Sequence, residues 1–384
     1  MYLTDEDIDM ANGSVSIMSR MYERLRALPV EEARKNLSEF DEKTQKKYAR
    51  KDMKDTRYFD IVAEDLISLG DGCSGHLDLS QRIMGKMGVI ITEECGRVPR
   101  EPRIDHDTPV IISDPVDGSS YFADVIKRLS RGSGEEMSTL FNREIEEVGL
   151  AKARRHACNS SVTFLRDNMI KYTLVLNLFT GDIYIGSANG IFRGNVESIK
   201  DIKDIKTPIE FFDDENLTMI CYTREKGKYE QNRKGTHLRF FPLHPESMAE
   251  IGPMGPLRFT RLVKYENDDK TEAGVIAHNG EKIQEMLPNI SMAFFSGGKL
   301  RAYKLFCDPE YAAHRAGKGM TPNLANSLFS DELLVNTGLR SIFLNNYDYP
   351  SEFRDTTAIV SSGNEAAITM FTGMVQRKYA TKIV

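Results

Sequence analysis

Tryptophan is missing from all 384 residues, an absence that removes a spectroscopic probe and says little of function. Cysteine is scarce: Cys73, Cys95, Cys158, Cys221 and Cys307 form no CxxC pair and no Cys/His ladder. That spacing excludes a zinc knuckle and a disulfide framework, and fits a reducing compartment. No stretch approaches the roughly 18 uncharged apolar residues that a membrane span needs. Charge of one sign is lacking too, since Lys and Arg number 51 against 57 Asp and Glu, for a net charge of −6. There is no global basic field to attract nucleic acid. The amino-terminal MYLTDEDIDMANGS has neither a basic n-region nor an apolar h-region, so the expected location is the cytoplasm.

What is present is enough chain for two lobes or one large α/β assembly. Apolar Ile8, Met10, Val15, Met18, Met21 and Leu25 recur at helical steps and predict a helical cap over 1–55, continued by a charged run. The segment YFDIVAEDLISL (58–69) carries Asp60 and Asp65. On a helix those two diverge by about 140°, so they share a site only across a strand-to-helix bend. Two strands follow, GVIITEE (88–94) and PVIISDP (109–115), and both end in carboxylates. Residues 123–157 are charged, helix-favouring and broken by RGSG, predicting an inserted helical hairpin. SSVTFLRD, YTLVLNLF and GDIYIGSANGIFRG then alternate around Thr180-Gly181-Asp182, the pattern of an antiparallel meander. A polar stretch at 194–216 sets the expected boundary between an amino lobe (1–215) and a carboxyl lobe (216–384). The latter carries LTMICYT, AGVIAHNG, ISMAFFSGG, SIFLNN and TAIVSSGNEAAITMFTGMV and reads as an α/β layer.

The richest segment is Ser113-Asp114-Pro115-Val116-Asp117-Gly118-Ser119-Ser120. Proline turns the chain at the strand end, so that two aspartates three apart aim at one point, a geometry suited to a hard cation. Gly118 permits an unusual backbone angle. The amides of Gly118, Ser119 and Ser120 then face outward at a helix start, where donors and dipole favour a phosphate. Glu93-Glu94 ends the neighbouring apolar run. Either motif alone reads equally well as a turn, whereas four carboxylates converging in one cleft demand cations.

These motifs resemble the superfamily of magnesium-dependent phosphatases that includes inositol monophosphatases, fructose-1,6-bisphosphatases and bisphosphate nucleotidases. The signature D-P-[LIV]-D-G-[ST] stands at Asp114 to Ser119, the Glu-Glu pair at Glu93-Glu94, and FDIVAEDLI is similar to the D-x-x-x-x-D helix start of the bisphosphatases. The resemblance implies a layered αβαβα sandwich of the sugar-phosphatase type. It implies two or three Mg2+ ions, with Mn2+ as an alternative, held by Glu93, Asp114, the main-chain carbonyl of Val116, and Asp117. Glu94 and one of Asp60 or Asp65 complete the outer ring, Ser119 orients the attacking water, and Gly118, Ser119 and Ser120 receive the phosphate. The family's second signature, W-D-x-A-A, falls on Pro322-Asn323-Leu324-Ala325-Asn326. Asn323 thus replaces a metal-ligating aspartate with a neutral oxygen, and Asp308 and Glu310 are substitutes under another alignment.

The implied activity is hydrolysis of a phosphate monoester on a small metabolite (cyclitol, sugar or nucleotide) by metal-activated water. The alternative is a catalytically altered relative that binds a phosphometabolite or cation and regulates a partner. A homo-oligomer is implied, with neither nucleic acid nor membrane as partner, and the 123–157 segment is a possible lid. Lys299, Arg301, His314 and Arg315 are lesser candidates for phosphate contact. The basic run KARRH (152–156) reads as a solvated face.

Overall fold

The computed structural model describes most of residues 3–209 and, beyond them, chiefly five strands between 219 and 362; within the first stretch, 43–44, 46–55, 69–74, 93–95, 99–106, 157 and 168 fall outside the described residues. The chain divides into two compact units, Met1–Pro208 with Gly255–Leu257, and Ile209–Met254 with Arg258–Val384.

The first unit opens with α1 (Asp5–Arg26). Thr4 caps it, its hydroxyl accepting from the Asp7 amide while Asp7 Oδ2 accepts from the Thr4 amide at 2.9 Å. This reciprocal box satisfies two amides that a helix start otherwise leaves open. The expected stripe is buried at Met10, Val15, Met18, Met21 and Leu25, joined by Ala11 and Ile17, whereas Ile8 is only half-buried. The helix stops at Arg26, well short of residue 55. Pro29 then precedes a four-residue α2 (Val30–Ala33), because its missing amide cannot continue the ladder. α1 is also more than a surface cap, since its apolar face lies in the main core.

Next come α3 (Tyr58–Ser68), α4 (His76–Met84), β1 (Val89–Thr92), β2 (Gly96–Val98) and β3 (Val110–Asp117). They are followed by α5 (Ser119–Leu129), α6 (Met137–Val148), α7 (Leu150–His156), β4 (Asn159–Arg166), β5 (Met169–Asn177), β6 (Asp182–Ser187), β7 (Gly190–Asn195) and β8 (Thr207–Pro208). The eight strands form one sheet in the order β2-β1-β3-β4-β5-β6-β7-β8. β1 and β3 run parallel, and the expected meander β4 to β7 is antiparallel throughout. Its β5–β6 turn uses Gly181 at φ +72, a backbone angle that glycine adopts without steric cost.

Residues 119–156 differ from the expected insert. They form three helices, and the first begins inside the Asp114–Ser119 signature itself. α6 buries Met137, Leu140 and Phe141. Phe122 of α5 meets Phe59 of α3 at 4.1 Å between ring centroids and Phe141 at 5.3 Å, and Phe141 meets Phe179 at 4.5 Å. The charged residues that suggested a solvated hairpin occupy the outer face only. Glu144 is one buried exception, accepting from Tyr121 and pairing with Arg128 at 2.5 Å to clamp α5 to α6. The KARRH run is likewise not wholly solvated: Arg155 is buried and Arg154 pairs with Asp182 at 2.8 Å.

In the second unit β9 (Met219–Thr223), β10 (Met248–Ile251), β11 (Val275–Asn279), β12 (Lys299–Lys304) and β13 (Thr357–Ser362) form a sheet in the order β10-β9-β11-β13-β12. β9 pairs parallel with both neighbours, and β13 antiparallel with both of its own. Lys299 and Arg301 lie on the edge strand β12. Among the described residues no helix is long and apolar enough to cross a membrane.

Candidate active site at the β3–α5 junction

β3 is an apolar strand until Ser113, paired in register with β1 through Thr92↔Ser113 and with β4 through Asp114↔Ser161. Proline does not end it. The strand continues to Asp117, and the pairing to β4 shifts register between Asp114 and Asp117. Pro115 thus sits in a bulge, one of the few strand settings that tolerate a residue without an amide donor, and the bulge re-aims the side chains around it. The turn comes at Gly118, φ +96, which is the cap of α5. Its carbonyl accepts from the amides of Tyr121 at 2.9 Å and Phe122 at 3.0 Å. The first amides of a helix have no intrahelical acceptor, and here they lie directly after two carboxylates.

Asp114 is 1% exposed, and its amide donates to Ser161 Oγ at 3.4 Å. Asp117 is half-buried opposite Asn159, Val116 is buried, and Ser119, the first residue of α5, is half-buried. Ser120 is the second residue of α5, and its side chain lies outside the described residues. Beneath the junction, the Cys158 thiol donates to the Gly118 carbonyl at 3.0 Å. Burial first, and then the charges of Asp117, Asp60 and Asp114, push this thiol well above its ordinary range. The sequence offered no signal for Cys158, which has no local motif.

Asp60 is buried in the first turn of α3, where Oδ2 accepts from the Arg57 amide at 2.9 Å. α3 runs unbroken from Tyr58 to Ser68, so the bend that would let Asp65 share Asp60's site is absent. Asp65 is half-buried on another side of the helix. The acid that follows Asp60 on its own face is Glu64, fully buried and missed by the i, i+5 reading. The i, i+4 spacing in FDIVAEDLI was the available clue. Glu93, Glu94, Asn323, Asp308, Glu310, His314 and Arg315 all lie outside the described residues. A cavity of about 350 Å³ beside the end of α1, lined in part by Tyr22, Arg26 and Glu197, contains none of the predicted site residues.

Among the described residues no group of three or more Asp, Glu, His or Cys side chains is close enough to hold a metal ion. The carboxylates of Asp114 and Asp117 and the Val116 carbonyl lie on either side of and within the bulge. All are hard oxygens without a soft ligand among them, and this chemistry fits magnesium.

No protein-family model and no curated protein matches the chain. Solved structures do. The extragenic suppressor protein suhB from Bartonella henselae is similar over 97% of this chain and 99% of its own, with 10% identity and a TM-score of 0.50. An inositol monophosphatase from Zymomonas mobilis matches over 97% and 98%, with 8% identity and a TM-score of 0.47. The Thermotoga maritima IMPase matches over 98% and 100%, with 11% identity and a TM-score of 0.46.

Proposed function

We infer that the chain has the α/β fold of the inositol monophosphatases, a reading implied by the sequence resemblance and supported by its likeness to the Bartonella henselae suhB structure. We propose that this protein is a magnesium-dependent phosphate monoester hydrolase acting on a small phosphorylated metabolite, a cyclitol, sugar or nucleotide phosphate. One observation carries the reading: Asp114 and Asp117 flank a bulge at the carboxyl end of a parallel-paired strand and lead straight into a helix start opened by Gly118 at φ +96. Carboxyl ends of strands in α/β sheets are where ligands bind, and a helix start favours an anion.

In this reading Asp114, Asp117 and the Val116 carbonyl hold the cation, together with Glu93 from the sequence motif. When bound, magnesium supplies Lewis-acid activation of water and neutralises charge on the departing oxygen. The protein's own part is positioning. Gly118 keeps side-chain bulk away from the phosphate, while the amides of Ser119 and Ser120 and the Ser119 hydroxyl orient it. Asp60, buried and accepting from the Arg57 amide, adds a carboxylate to this reading. The reading further takes the protein as a cytoplasmic homo-oligomer with Mn2+ as a substitute ion.

The test is phosphate release from inositol phosphates, sugar mono- and bisphosphates and nucleotide bisphosphates, with magnesium and again with chelator. Release that requires magnesium and disappears in Asp114→Asn supports the hydrolase. A protein that binds one of these esters without turnover would instead be a regulatory relative, the reading favoured by the uncharged Asn323.

A further inference from the structure

Glu64 poses a physical question that the proposed chemistry does not use. It is 0% exposed, on the helix face that also carries the buried Asp60 and Ser68. A carboxylate removed from water is costly unless hydrogen-bonded. Its Oε1 accepts from Ser68 Oγ at 2.8 Å and from Thr92 Oγ1 at 2.6 Å, the latter in the range of hydroxyl-to-carboxylate bonds. Of the neighbouring strand positions, Ile90, Ile91, Ile111 and Ile112 are apolar and fully buried. An apolar pair at 64 and 92 would serve such a core at least as well, since a buried polar contact is weak evidence for stability. What distinguishes the Glu64–Thr92 bond is its place. Thr92 is the last residue of β1 and pairs in register with Ser113, the residue before Asp114. Ser113 Oγ is itself tied to the Ser161 carbonyl at 2.6 Å. α3, β1, β3 and β4 are thus locked at one level, directly below the strand ends. In the sequence Thr92 is followed by Glu93.

We propose that Glu64 is a positioning residue for the cation-binding carboxylates, acting through Thr92 to hold the end of β1 in register beside Ser113 and Asp114. A one-residue slip would send every side chain of the strand to the opposite face, so a single strong bond at the strand end has leverage on the site. The inference rests on the hydrolase reading above.

The experiment is magnesium titration of the metal-free full-length protein by calorimetry, beside thermal unfolding and the magnesium dependence of p-nitrophenyl phosphate hydrolysis. Thr92→Val keeps the shape and deletes the hydroxyl, and is expected to weaken magnesium binding at least fivefold in protein that is still folded. Glu64→Gln keeps an acceptor oxygen and is expected to stay within twofold of wild type, and the double variant to bind no more weakly than Thr92→Val alone. A merely structural pair would lower the unfolding temperature and leave the affinity of the folded protein unchanged. Should Thr92→Val not fold, Thr92→Ser must bind as wild type and Thr92→Ala must bind weakly. Thr92→Val within twofold of wild type overturns the proposal, as do independent, multiplying losses from the two substitutions. Wild type that binds no magnesium contradicts the hydrolase reading as well, whereas wild type that binds while Thr92→Val is unaffected contradicts this inference alone.

Discussion

Acid should loosen the first unit through His76. This side chain is completely buried at the start of α4, with Nδ1 2.9 Å from the Ile67 carbonyl and Nε2 3.0 Å from Ser14 Oγ. A carbonyl can only accept, so Nδ1 carries the proton and Nε2 is left to accept from the Ser14 hydroxyl. Ser14 Oγ has a second acceptor in the Met10 carbonyl at 2.9 Å, and it lies 2.9 Å from the Tyr172 hydroxyl. Protonating Nε2 would turn the Ser14 proton to the Met10 carbonyl and, above all, place a charge in the core. Burial, helped by the charge of Arg20 and opposed by the Ile67 bond, lowers the His76 pKa from 6.5 to about 4. With the folded pKa below the unfolded one, the stabilisation is complete above pH 6.5 and is lost as pH falls toward 4. Linkage puts the loss at about 2 kcal/mol by pH 5 and about 3 kcal/mol by pH 4, a large part of a typical folding free energy. Denaturant unfolding, followed by circular dichroism or tyrosine fluorescence at pH 7.5 and 5, measures it. His76→Asn keeps a donor for Ile67 without titrating, so carboxylates common to both proteins cancel. The variant should be less stable than wild type at pH 7.5 yet lose about 2 kcal/mol less on acidification. Equal losses in the two proteins would refute the argument.

Other substitutions probe the scaffold of the site. Gly118→Ala places a side chain at φ +96, and strain of about 1–3 kcal/mol should lower the unfolding temperature; inhibition by inorganic phosphate should weaken in parallel. Phe141→Ala empties the centre of the aromatic cluster joining α6 to Phe122 and Phe179 and should cost about 3–5 kcal/mol in denaturant unfolding. A lid-like α6 would lose far less.

Much of this architecture is legible in the sequence because it rests on local chemistry. The α1 stripe, the meander around Gly181 and the β3–α5 junction follow from periodicity, glycine geometry and carboxylates at a strand end. The failures are equally physical. Pro115 reads as a terminator, yet pairing across a bulge carries the strand two residues further, and only a partner strand reveals that. Asp60 and Asp65 diverge on an unbroken helix, as their spacing implies, but only packing shows that Glu64 at i+4 is the acid buried beside Asp60's face. Residues 123–157 look solvated because their charges outnumber the few residues, such as Phe141, that face inward. Cys158 meets the β3–α5 junction through a bond to Gly118, forty residues earlier in the chain, a contact that only folding creates.

The most direct measurement is equilibrium binding of magnesium to the metal-free protein, wild type against Asp117→Asn, with inorganic phosphate present and absent. The account requires that wild type binds magnesium, that phosphate tightens this binding, and that Asp117→Asn weakens it at least tenfold without unfolding. Magnesium affinity that Asp117→Asn leaves unchanged, or phosphate binding indifferent to magnesium, would contradict a cation and phosphate site at the β3–α5 junction.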